Sequence, residues 1–190
     1  GVSTLPEHRG KGLMHALVGR QIEHAKEADF ACCYLHPVAE SLYARLGFQN
    51  GTDALIIHSK DGSNNDGLTI REEENIQAMR SVYDALLDLH DGMQIRDRAE
   101  FALQLQDYAC DGSHTLIAYD SERPIGYIVY LDDHTVTELF ALRTDAYESL
   151  LYETARRIGE PLTATVPTDC GIAGERVYSM QYLVFDDALD

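Results

Sequence analysis

Apolar positions recur along this chain in two rhythms, one helical and one alternating, and together they predict its elements. Gly1-Val2-Ser3-Thr4-Leu5 reads as an extended strand that Pro6 closes. From Gly12 onward, Leu13, Met14, Leu17, Val18, Ile22 and Ala25 return at helical spacing, which predicts a helix to about Ala28. Phe30 to Leu35 is a nearly continuous apolar run of strand length. Ala39 to Leu46 reads as a short helix stopped at Gly47, and Ala54 to Ile57 as a strand. Asp61-Gly62-Ser63-Asn64-Asn65-Asp66-Gly67 then has no apolar residue and is rich in turn formers, so residues 61–67 are read as a linker.

Beyond the linker a longer series begins. Leu68-Thr69-Ile70 predicts a short strand. Glu72 to Leu89 places Ile76, Met79, Val82, Tyr83, Leu86 and Leu87 on one helical face, with Glu72, Glu73 and Glu74 in the first turn. A helix from about Asp97 to Tyr108 follows, then strands at Thr115–Tyr119, Ile125–Leu131 and Thr135–Leu142. The first two, separated by Asp120–Pro124, form a hairpin. Asp145 is expected to cap a helix to about Ile158 that turns Tyr147, Leu150, Leu151, Thr154 and Ile158 inward. Strands at Leu162–Val166 and Val177–Phe185 close the chain. The order predicts an α/β class protein with a mixed sheet, in two domains over residues 1–60 and 68–190.

Charge sharpens that division. The 190 residues carry 15 Lys and Arg against 32 Asp and Glu, a net of −17, and the first 60 residues are neutral, so the excess lies entirely after them. So acidic a body repels phosphate backbones, which excludes a nucleic-acid partner, and it otherwise reads as a solvated surface. The 45% of hydrophobic residues include no run long enough to span a bilayer, and no leader is visible, so no membrane partner is expected. Four cysteines without CxxC spacing argue against a disulfide framework and point to a reducing cytoplasm. Cys32 and Cys33 fall inside an apolar strand and read as small core residues. The eight histidines show no ligand spacing, so no metal is expected.

Two motifs carry chemistry. Pro6-Glu7-His8-Arg9-Gly10-Lys11-Gly12-Leu13-Met14 stands between the first strand and the first helix. Its glycines permit close backbone approach, the helix start leaves unpaired N–H groups, and Arg9 and Lys11 add positive charge. The pattern suits an anion as well as a plain structural turn. It is neither a GxxxxGK[ST] loop nor a three-glycine dinucleotide fingerprint. In Leu42-Tyr43-Ala44-Arg45-Leu46-Gly47-Phe48, Tyr43 is either a core aromatic of a glycine-capped helix or a general acid able to protonate a leaving thiolate.

Taken in this order, the two motifs make Gly1–Phe48 resemble the second half of a GNAT-family acetyltransferase domain. The resemblance implies that the backbone of Val2, Ser3 and Thr4 pairs with the pantetheine arm of acetyl-CoA. It assigns the pyrophosphate to Arg9, Gly10, Lys11, Gly12, Leu13 and Met14, and makes Tyr43 the proton donor. Glu7 departs from the family's loop, where Gln or Arg is common. Residues 66–190 resemble a second GNAT-like unit, as in the tandem enhanced-intracellular-survival (Eis) acetyltransferases. There Thr137–Tyr147 holds the loop position without a glycine, and Asp145 would repel a phosphate, so this copy is expected to bind no cofactor. The elements that precede the first strand in a complete GNAT domain are missing from the chain by this comparison. The implied activity is direct acetyl transfer from acetyl-CoA to a primary amine of a small molecule or peptide. Asp190 or a water chain would be the base, and a non-catalytic acyl-CoA-binding protein of the same fold is the alternative. A homo-oligomer is left open.

Overall fold

The computed structural model describes residues 2–37, 39–59, 67–90, 93–178 and 180–185. The chain separates into two compact units, Gly1–Thr52 with Tyr178–Asp190, and Asp53–Val177. These bounds differ from division at a linker. Pairing is non-local: the strand after residue 52 joins the second unit, and the last strand returns to the first. Residues 61–66 of the expected linker lie outside the described residues.

The first unit begins without a strand. Val2–Leu5 joins no ladder among the described residues, and a single 3₁₀ turn, Pro6–His8, follows. This corrects the expectation of an opening strand: an extended segment becomes a strand only when a neighbour completes its hydrogen bonds. Helix α1 spans Leu13–Glu27, strand β1 Cys32–Leu35, helix α2 Glu40–Ala44 and strand β2 Gln49–Asn50. The sequence signalled all of these but β2. At the far end of the chain, Val177–Phe185 is not one strand but two, β9 (Glu175–Tyr178) and β10 (Gln181–Val184). Strand β10 lies between β1 and β2, antiparallel to both, with Tyr34 opposite Tyr182 and Leu35 opposite Gln181. Val18 of α1, Tyr43 of α2 and Phe48 form a small core, lined by Met14, Ile22, Cys33, Leu35, Leu46 and Leu183. Alternation puts Cys33 on that inner face and leaves Cys32 exposed, so only Cys33 answers the expectation of a core cysteine.

The second unit is packed more deeply. Strands β4 (Thr69–Glu72), β5 (Ser113–Asp120), β6 (Arg123–Leu131) and β7 (Val136–Ala141) form an antiparallel sheet in chain order. Strands β3 (Asp53–His58) and β8 (Thr163–Pro167) pair antiparallel, with β9 on the other side of β3. Helices α3 (Ile76–Leu87) and α4 (Arg98–Cys110) supply residues to one core with Ile117, Tyr127 and Val129. Helix α5 (Thr144–Ile158) supplies Ala146, Tyr147, Leu150 and Leu151 to a second core with Leu116, Ile128 and Leu139. The sheet therefore buries both faces, which is why β5 and β6 read as continuous apolar runs. Gly126 permits the close packing, since a Cβ there would stand 2.8 Å from the Ala141 Cβ and 3.1 Å from Leu150 Cδ1.

Two capping expectations change. Helix α3 starts after Asn75, whose Oδ1 accepts from the Ala78 N–H at 3.0 Å; Glu72 belongs to β4, and Glu73 and Glu74 precede the helix. Helix α5 is capped at Arg143, placing Asp145 inside its first turn. At α3 the Asn75 side chain, standing at the N-cap position itself, reaches a first-turn amide that residues one to three places earlier do not, and α5 begins without a side-chain cap. Helix α4 starts as predicted at Asp97, in a capping box with Glu100.

Candidate functional site

The loop ahead of α1 is built from local sequence. Its 3₁₀ turn is held by His8 N–H donating to Leu5 O at 2.9 Å and Arg9 N–H to Pro6 O at 3.2 Å. Arg9 Nε donates to Thr4 O at 3.3 Å and so ties the extended segment to the loop. Gly10 and Gly12 both take left-handed backbone, φ +74° and +73°. A Cβ at either would meet nothing within 4 Å, so glycine is needed for its conformation and not for space. Gly12 caps α1, and its carbonyl accepts the first helical bond, from Ala16 N–H at 3.0 Å. The amides of Leu13, Met14 and His15 are therefore the unpaired donors of the first turn.

Positive charge surrounds those donors. Arg9 and Lys11 are exposed, and among the described residues neither is ion-paired; Lys11 Nζ stands 3.2 Å from His8 Nδ1. Exposed amides, the positive end of a 15-residue helix and two cations make an arrangement that attracts a polyanion.

Tyr43 belongs to the small core on which α1 packs. Its ring is 8% exposed and meets Phe48 edge to face, with ring centres 6.1 Å apart. Met14, the last residue of the loop motif, packs on the same cluster, so fold and motif are joined through Met14 and Tyr43. Val2, Ser3 and Leu13 remain exposed, and half-buried Thr4 accepts the Arg9 bond at its carbonyl. Asp190, a candidate base, lies outside the described residues. Burial pushes the Cys33 thiol up, and the neighbouring Cys32 adds to this, which disfavours the reactive thiolate.

The corresponding junction of the second unit is closed. Arg143 Nε donates to Asp145 Oδ1 at 3.0 Å, a second guanidinium nitrogen also bonds this carboxylate, and Nη1 donates to Asp120 Oδ2 at 2.6 Å. Thr144 Oγ1 donates to Cys170 O at 2.8 Å, so neighbouring backbone lies against the start of α5.

Two polar groupings escaped the sequence reading. In the second unit Glu138, 5% exposed on β7, accepts from Arg96 Nη1 at 2.6 Å, Tyr127 OH at 2.7 Å and Tyr108 OH at 3.3 Å. Burial, reinforced by this carboxylate, holds the Tyr127 and Tyr108 phenols well above their ordinary range. A lone glutamate in an apolar strand was the available signal. In the first unit, Glu40, Asn50 and Gln181 line a cleft of about 710 Å³ with Pro37, Ala39, Ser41, Ala44 and Phe48. Gln181 is 131 residues from Asn50, so no spacing rule could join them.

Residues 1–51 match the family described as Acetyltransferase (GNAT) domain. No curated protein matches the sequence. Among solved structures, a GCN5-related N-acetyltransferase from Anabaena variabilis is similar at TM-score 0.65 and 16% identity, over 96% of this chain and 53% of that one. A protein of unknown function from Enterococcus faecalis, described as a probable N-acyltransferase, gives TM-score 0.65, 19% identity and the same two coverages. Eis1 from Mycobacterium abscessus gives 0.57 and 14%, over 96% and 55%. The chain thus spans about half the length of these proteins. With the family match on its loop and first helix, this chain has the mixed α/β fold of the GNAT acetyltransferases.

Proposed function

We propose that this chain belongs to an acyltransferase that moves an acetyl group from acetyl-CoA to a primary amine. The observation that carries the reading is the left-handed pair Gly10 and Gly12 ahead of α1, next in sequence to the first-turn amides of Leu13 and Met14 and to Arg9 and Lys11. These residues fit a pyrophosphate, and they lie within the segment that matches the GNAT domain. In the transfer, the amine nitrogen attacks the thioester carbonyl carbon, the C–N bond forms and the C–S bond breaks. Tyr43 gives its phenolic proton to the departing thiolate, and the amine loses one proton to a base. Holding the two reactants together supplies most of the acceleration.

A second reading, a non-catalytic acyl-CoA-binding protein, is favoured by the burial of the Tyr43 ring against Phe48, which packing alone explains. Titration with acetyl-CoA while following thermal unfolding tests what both readings share. Saturation at about 100 times the dissociation constant raises stability by about 2.7 kcal/mol. Absence of any shift counts against both for this chain. Thiol release in the presence of amines separates them. On the enzymatic reading Tyr43→Phe lowers turnover by about 100-fold or more and leaves acetyl-CoA affinity unchanged. Unchanged turnover removes Tyr43 from the chemistry.

A further inference from the structure

The cleft between α2, β2 and β10 has a polar floor whose bonding is lopsided. Gln181 at the head of β10 is 2% exposed. Its Nε2 donates to Asn50 Oδ1 at 2.8 Å and to Glu40 O at 3.4 Å, which uses both amide hydrogens. Its Oε1 is buried without a hydrogen-bond partner among the described residues. Asn50 in turn donates from Nδ2 to Glu40 Oε2 at 3.1 Å. One amide thus links the buried oxygen to an exposed carboxylate.

An inventory of this floor shows what it lacks. Glu40 has four lone-pair directions and gives one to Asn50, and Gln181 Oε1 gives none. Among the described lining side chains, the spare donors are one Asn50 hydrogen and the Ser41 hydroxyl. Glu40 is the only ionisable side chain among the described residues that line the cleft, and it is anionic. The remaining lining, Pro37, Ala39, Ala44 and Phe48, is apolar and suits a short hydrocarbon arm. A ligand matched to this surface brings hydrogen-bond donors, positive charge and a few methylene groups. An alkylammonium has all three, with three donors on one compact head.

We infer that this cleft binds a small organic ammonium ion, its head on the Glu40 carboxylate beside Gln181 Oε1 and its alkyl arm along Ala39, Ala44 and Phe48. The cleft contains neither the glycine loop nor Tyr43, and the inference concerns binding alone, so it stands or falls independently of acyl transfer. Gln181 Oε1, buried without a partner among the described residues, gains from a donor brought to this floor, and a charged donor makes the stronger bond than water or a neutral alcohol.

The test uses the full 190-residue chain, isotopically labelled, without acetyl-CoA. Butylammonium at neutral pH is titrated while the side-chain amide signals of Gln181 and Asn50 are followed by NMR; 1-butanol serves as the neutral probe of equal length. The inference expects saturable shifts of both amides with butylammonium and none with butanol. Glu40→Gln, an exposed substitution that keeps the side-chain shape, weakens binding about tenfold, the loss of one charge-assisted contact. The remaining amide signals report whether that variant keeps its fold. Equal responses to the two probes, no saturable response, or unchanged affinity in Glu40→Gln overturns the assignment.

Discussion

Residues 9–14 and 142–147 each lead an extended chain into a 15-residue helix, yet one is open and the other sealed. In the first, Gly10 and Gly12 turn the backbone left-handed, and among the described residues Arg9 and Lys11 have hydrogen-bond partners but no ion pair. In the second, Arg143 spends its guanidinium on Asp145 and Asp120, and backbone at Cys170 takes the Thr144 hydroxyl. The surroundings follow the same division. The core cluster of the first unit has three buried side chains among the described residues, with Leu13 and Leu17 half exposed, whereas the second unit buries a buttressed ion pair beneath its helices. Among the described residues, one helix start thus leaves its first amides and cations free of ion pairs, and the other is tied into its surroundings as a structural joint. The difference lies in a pair of glycines and in where one arginine finds its partners.

The largest effect should come from the sealed unit. Glu138→Ala leaves the Arg96 guanidinium buried without its carboxylate and removes the acceptor of two phenols. We expect a loss of about 3–5 kcal/mol, measured as lost hydrogen-exchange protection across β5–β7. A loss below about 1 kcal/mol would mean that the pair is not what holds the loop before α4 to the sheet. Acid provides the next test. The hydrogen bond from Arg156, followed by that from Arg157, holds the Glu153 carboxyl down at about 2. A depressed carboxyl stabilises the fold fully above its unfolded pKa, near 4.5, and that contribution is lost as pH falls through about 2. Allowing for the solvent-exposed Arg156, the loss is about 2 kcal/mol. It is read from denaturant midpoints across that window, and Glu153→Gln should flatten the slope.

Smaller effects probe the two junctions directly. Gly12→Ala forces a side chain into left-handed backbone at a cost of about 1–2 kcal/mol. Because the added Cβ meets nothing, the cost is conformational, and acetyl-CoA-induced stabilisation should fall with it. Arg143→Ala opens the sealed junction, and since its ion pairs are half exposed, thermal unfolding should register less than about 1 kcal/mol. No acetyl-CoA binding should appear there, because the variant still lacks glycine and keeps Asp145. If it did appear, the pairing of Arg143, and not the missing glycines, would be what separates the two junctions.

Much of this molecule was legible from periodicity. Helices α1 and α4 and the β5–β6 hairpin fell where spacing and turn chemistry put them, because each rests on contacts a few residues apart, whereas the helix expected to stop at Gly47 ends at Ala44 with Arg45 as its cap. The glycines ahead of α1 were read as allowing close backbone approach; their left-handed backbone, which glycine permits but does not dictate, is what the structure adds. The capping of α5 was misread: Asp145 offers an acceptor, but Arg143 takes that carboxylate, leaving it inside the first turn.

Tertiary structure alone decided the rest. Val2–Leu5 carries the composition of a strand, yet strand formation depends on a partner that composition cannot supply. Gln181 and Glu40 meet only because β10 inserts between β1 and β2, and the burial of Glu138 beside Arg96 depends on how α3 and α4 cover the sheet. Local sequence fixes dihedral preferences and the faces of helices and strands, because their energies are set within a turn or two of chain. Which distant strand completes a sheet, and which charge is sealed beneath it, are set by burial that only the assembled chain creates.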